Sequence, residues 1–157
     1  MKIKLILLVA LLTMTGANIN AQSDPEIDHA LMLQLVNQHR TKGCKCGSVK
    51  YKRTKPLIWS ETLELAARDH SLDMHANNFF RHTGSDRSTL SIRLKRRAYN
   101  YKTAGENIGW NYHDEERAIE AWIKSPGHCK NIMNPEFTEI GISRVGDYWT
   151  MVLGARK

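Results

Sequence analysis

The sequence predicts an α+β fold in which helices pack on an antiparallel sheet. Two observations carry this. Apolar residues recur at helical spacing behind serine and aspartate caps through much of the chain, whereas Ile140 to Leu153 alternates about a Val145-Gly146-Asp147 turn as a β-hairpin does. The two kinds of element are segregated instead of alternating as βαβ units, which argues against a doubly wound parallel sheet.

Taken in order, Asp24-Pro25-Glu26 reads as a capped helix start, and Ile27, Leu31, Met32, Leu35 and Val36 follow on one face as far as Lys42, where Gly43 stops the helix. Gly43 to Pro56 is glycine-containing and basic, a loop. Leu57-Ile58-Trp59 leads to a second cap at Ser60, and Leu63, Ala66, Ala67, His70 and Met74 form the inner face of a helix reaching about Asn77. A short helix is expected from Ser88 to Arg97, with an extended segment over Tyr99 to Tyr101. Asp114 caps a further helix with Ala118, Ile119, Trp122 and Ile123 inward. Ser125-Pro126 then opens a short helix, because serine is a good cap and proline fits the first helical position. Asn134-Pro135 is expected to end it, since the residue before a proline is pushed out of the helical region.

The N-terminus carries an export signal. Met1-Lys2-Ile3-Lys4 is charged, Leu5 to Leu12 is continuously apolar, and small residues follow up to Ala21. The apolar run is too short to span a bilayer, which takes roughly 20 residues. Residues 1–21 are therefore expected to be a signal peptide cut after Ala21, with Ala17 as the alternative, and 22–157 a single domain. The product is placed outside the membrane, secreted or periplasmic.

Loss of Lys2 and Lys4 would lower the net charge from +7 to +5. Much of the remainder sits in two runs, Lys50-Tyr51-Lys52-Arg53 with Lys55, and Arg93 with Lys95-Arg96-Arg97. Aromatic residues are sparse among them, so nucleic acid is not the expected partner; a solvated basic face adsorbing to acidic envelope polymers is. Of the three cysteines, Cys44 and Cys46 are too close to pair comfortably, and in an oxidising compartment Cys129 bonds to one of them. A zinc site built on Cys44, Cys46, His128 and Cys129 is the competing reading, although zinc cysteine pairs usually have two to four intervening residues.

His82, Glu106 and His128 fall near the ends of expected elements. Two imidazoles and a carboxylate are ligand types of an open zinc site with water in the remaining positions. Cys129 and His128 are adjacent on a helix and point about 100° apart, so they do not form a nucleophile pair by themselves.

Seven segments then occur in a specific order: Val36-Asn37-Gln38-His39-Arg40, Leu57-Ile58-Trp59, Phe80-Arg81-His82-Thr83-Gly84-Ser85-Asp86, Gly105-Glu106-Asn107-Ile108, Trp122-Ile123-Lys124-Ser125-Pro126-Gly127-His128, Phe137-Thr138-Glu139-Ile140-Gly141-Ile142 and Tyr148-Trp149-Thr150. This order resembles the CAP superfamily of SCP-like extracellular proteins, in its bacterial branch, over about residues 28 to 155. The resemblance implies a three-layer α-β-α sandwich with a central antiparallel sheet and a cavity holding two histidines and two acids. It matches His82 and His128 to the histidines that bind a divalent cation such as zinc, and Glu106 to one acid. The second acid's position is Ser125, unless Glu116 or Glu120 reaches in. Asn107 and Ser125 are expected to line the cleft.

The implied function is an extracellular or envelope binding module, monomeric, for a lipid or envelope polymer. The alternative is a metal-dependent hydrolase with Glu106 as general base.

Overall fold

The computed structural model describes residues 27–157, so the expected signal peptide and the Asp24-Pro25 cap lie outside the described residues. The elements are, in order, α1 His29–Lys42, β1 Cys44–Cys46, β2 Val49–Tyr51, β3 Ile58–Trp59, α2 Glu61–Asn77, α3 Leu90–Arg96, β4 Tyr101–Trp110, α4 Glu115–Lys124, α5 Pro126–Ile132, β5 Glu139–Val145 and β6 Tyr148–Arg156.

The caps explain most boundaries. Asp28 caps α1, its carboxylate accepting from the Leu31 amide at 2.9 Å, so the helix starts four residues later than Asp24 suggests. Gly43 ends it at φ 78°, a region closed to most other residues. Ser60 and Asp114 cap α2 and α4 as expected. Ser125 stands at the start of α5, but its hydroxyl makes no capping hydrogen bond; Pro126 opens the helix through its fixed φ instead. The segment expected as a loop after Gly43 is a small antiparallel hairpin, β1 against β2, with Cys44 opposite Tyr51 and Cys46 opposite Val49.

The main sheet has the order β3-β5-β6-β4. Its three long strands are antiparallel, and the two-residue β3 adds a parallel edge. Side chains alternate across it. Ile140, Ile142, Trp149, Met151 and Leu153 pack with Met32 and Val36 of α1, Ala118, Ile119 and Trp122 of α4, and Cys129 and Ile132 of α5. Val152 faces the other way, onto Leu63, Ala66 and Ala67 of α2 and Leu94 of α3. The result is a helix-sheet-helix sandwich with a core on each side of the sheet. On the α2 side the approach is close: a Cβ on Gly141 would lie 2.0 Å from the Glu64 amide nitrogen.

One buried cation ties the layers. Arg40, fully buried in α1, donates to the carbonyls of Lys55, Ile132, Asn134 and Phe137 at 2.6 to 3.2 Å. Desolvation lowers its pKa to about 10. Four carbonyl dipoles stand in for a carboxylate here, so the charge is buried without an acid partner among those contacts.

Candidate functional site

The site forms at the edge of the sheet, on β4, which among the described residues pairs only with β6. Glu106 is opposite Val152 and so faces α2 and α3; Asn107 is opposite Met151 and faces α5. Because successive strand residues point to opposite faces, these two neighbours serve two different elements. Glu106 Oε1 accepts from His82 Nδ1 at 2.8 Å on one side. On the other, the Asn107 side-chain amide donates to the His128 carbonyl at 3.2 Å, and its oxygen accepts from Asn131 at 2.9 Å. Asn131 also donates to the Glu106 carbonyl at 3.2 Å.

The strand therefore holds one histidine through each face. They are electrostatically in reach of one another: burial first, and the His82 charge second, push the His128 pKa below its ordinary value. His82 is 59% exposed while the Glu106 side chain beneath it is 5% exposed, so the site opens to solvent on the imidazole side.

Two further residues belong to this site and escaped the sequence reading. Arg93 sits in a basic run that reads as solvated surface, yet it is buried, and its Nη2 donates to Glu106 Oε2 at 2.6 Å. It also donates to the carbonyls of Ser88 and His82, fixing the loop that carries the imidazole. His70, read as an inward residue of α2, is fully buried with Nε2 3.0 Å from the Arg81 carbonyl and 3.9 Å from Glu106 Oε1. The carbonyl contact places the proton on Nε2. A burial signal was present for His70 in the helical spacing; for Arg93 there was none.

The electrostatics favour an ionised acid. Burial pushes the Glu106 carboxyl up, but the His82 hydrogen bond and the Arg93 and His70 charges outweigh it, and the net shift is downward. His70 is held below its ordinary value, chiefly by burial. Glu116 and Glu120 do not supply the second acid: both are exposed, and Glu120 pairs with Lys124 at 2.6 Å. Ser125 is half-buried at the α4-α5 junction.

A divalent cation suits part of this donor set. A carboxylate on Nδ1 fixes the ring of His82 and leaves Nε2 as the outward donor, the arrangement common in zinc sites. Among the described residues no hydrogen bond occupies the His128 ring. Glu106 itself has both oxygens engaged, by His82 and by Arg93, and would serve as an outer partner of such a cation.

The cysteines cluster elsewhere. Cys46 and Cys129 form a disulfide with a Cα separation of 5.5 Å, binding the β1-β2 hairpin to α5 across 83 residues. Cys44 is free and half-buried, and burial pushes its thiol up.

The helix-sheet-helix sandwich is a fold that this chain shares with known proteins. The chain belongs to the cysteine-rich secretory protein family (CAP), whose profile matches residues 33–152. It is similar to YkwD, an uncharacterized protein of Bacillus subtilis, at 36% identity over 138 residues, covering 87% of this chain and 50% of that protein. The chain thus spans about half the length of that relative. Among solved structures, an extracellular SCP-domain protein of Bacillus anthracis superimposes with a TM-score of 0.73 at 29% identity, over 81% of this chain and 40% of that one. An outer surface protein of Borrelia burgdorferi shares the fold with a TM-score of 0.71 at 20% identity, over 84% and 98% of the two chains.

Proposed function

We propose that this protein is an exported binding module that holds a divalent cation on His82 and His128, with Glu106 as the residue that orients His82. The observation that carries this reading is the 2.8 Å contact between His82 Nδ1 and Glu106, which leaves Nε2 of an exposed imidazole as the free donor. A bound cation would act as a Lewis acid on an anionic or carbonyl group of the ligand. The chain's own contribution is to fix both histidines from one strand, Glu106 through the side chain of His82 and Asn107 through the backbone of His128.

Binding is favoured over hydrolysis by the state of Glu106. Each of its oxygens already accepts a hydrogen bond, from His82 and from Arg93, and its pKa is lowered, so it is a poor base for a water proton. The export signal expected in residues 1–21 from the sequence, and the extracellular character of the similar proteins, support a position in the envelope or medium. Among the described residues no helix is long and apolar enough to cross a membrane. Lys45, Lys50, Lys52, Arg53 and Lys55 are all exposed on and beside the β1-β2 hairpin, which supports an acidic envelope polymer as ligand for a monomeric protein. Isothermal titration with Zn²⁺ of the wild type and of His82→Ala/His128→Ala tests the cation site; equal binding by both overturns it.

A further inference from the structure

We propose that Cys44, Cys46 and Cys129, once the Cys46–Cys129 disulfide is opened, form a three-thiolate site for a thiophilic cation of the Zn²⁺ type. This site is separate from the histidine pair and does not rest on it.

The three sulfurs lie within 4.8 Å of one another. Cys44 Sγ is 3.7 Å from Cys129 Sγ and 4.0 Å from Cys46 Sγ. A tetrahedral zinc with Zn–S bonds of about 2.3 Å spaces its sulfurs about 3.8 Å apart. Two edges of the triangle therefore already have the spacing that a metal requires, and the third is a covalent bond. The backbone explains why. Cys44 and Cys46 are two residues apart on β1, so both project from one face of the hairpin, and Cys129 of α5 meets that face. The short Cys-x-Cys spacing, poor for a zinc loop, is suited to a strand, where alternate side chains converge. Three soft ligands select zinc or a softer ion over calcium or magnesium, and water completes the coordination. Cys44 is the half-buried member and gives solvent its approach to the two buried sulfurs.

The disulfide and the metal are mutually exclusive occupants of the same three sulfurs. Opening the bond requires a reductant. With a trialkyl phosphine, the phosphine takes the oxygen of one water molecule to become the phosphine oxide, and the disulfide takes two electrons and two protons to become two thiols. The cation then displaces the three thiol protons.

Co²⁺ is the probe, added without oxygen to phosphine-treated and untreated protein. Thiolate ligation gives intense sulfur-to-cobalt charge-transfer bands in the near ultraviolet, which imidazole and carboxylate ligands do not. The bands are expected in the reduced protein at one Co²⁺ per chain, to be absent from the untreated protein, and to survive in His82→Ala/His128→Ala. Cys44→Ser leaves both cysteines of the disulfide in place and is expected to fold as the wild type does; after reduction its Co²⁺ affinity is expected to fall about tenfold or more. A reduced wild type that gives no bands overturns the proposal, as does Cys44→Ser binding as tightly as the wild type. Bands of equal strength in denaturant also overturn it, because they would not need the hairpin and α5 to meet.

Discussion

Arg93 Nη2 donates to Glu106 Oε2 at 2.6 Å, and both side chains are buried. The acid at the centre of the histidine site is thus held ionised by the protein itself. Replacing Arg93 leaves Glu106 Oε2 buried without its charged partner and the carboxylate with only its histidine contacts, so Arg93→Met is expected to cost about 3 kcal/mol of unfolding free energy. Arg93→Met/Glu106→Leu should recover most of that loss. Urea unfolding of the two single variants and the double variant measures the coupling; additive losses would show that the pair does not act as a unit.

Glu106→Gln keeps the shape of the side chain but removes the charge behind His82. Zn²⁺ affinity is expected to fall about 10–100-fold, the usual cost of losing a partner that orients a ligating histidine. Titration calorimetry reads the change. Asn107→Ala should act on the same site through the other face of β4, by loosening the backbone of His128 without altering the His82 contact.

Stability should fall on the acid side of neutrality. His39, His70 and His128 all have pKa values lowered by burial, so each takes up a proton more readily unfolded than folded. Below their ordinary value of 6.5 the unfolded state binds more protons, and the stability present at higher pH is progressively lost. A fully buried histidine contributes up to about 1.4 kcal/mol per pH unit in that range. Glu106 adds a second loss at lower pH, as its depressed carboxyl is finally protonated. Denaturation midpoints measured across these pH values check both steps; a flat profile would contradict them.

Two glycines should respond oppositely to alanine. At Gly141 a Cβ would press on the backbone of Leu63 and Glu64, which can move only if α2 lifts from β5. Gly141→Ala is therefore expected to cost about 1–3 kcal/mol or more. Gly127 in α5 has nothing within 4 Å of its would-be Cβ, and Gly127→Ala should stabilise by about 0.5–1 kcal/mol through helix propensity. Thermal melts of the two variants would separate the effects.

The helices were readable because their signals are local: Ser60 and Asp114 cap, and the apolar face of α2 recurs at the helical period. The C-terminal hairpin was readable from alternation about Gly146. The β1-β2 hairpin was not, because the Cys-Lys-Cys and Val-Lys-Tyr alternation is only three residues long in each strand, too short to stand out in a basic segment, and what pins it is a cysteine 83 residues away. Most of β4 also escaped. Its Gly105 and Gly109 are small because Phe137 and Tyr112 pack against them, which is a tertiary reason. Within the site, His82, Glu106 and His128 were singled out by residue type and order. Arg93 was not, since its partner lies 13 residues on, across a chain reversal that spacing does not reveal.

Arg40 sets the order in which the fold can be completed. It bonds Lys55 only 15 residues away, but its other acceptors, Ile132, Asn134 and Phe137, are 92 to 97 residues further along. Until that last stretch arrives, the guanidinium has no reason to leave water, and the inner face of α1 stays unsealed. Closing such long loops before any reward is the slow step of folding for chains with distant contacts. Truncation before Ile132 should therefore leave α1 undocked and the chain open to proteases, with the helix already present in the sequence but without most of the carbonyl cage that seats it.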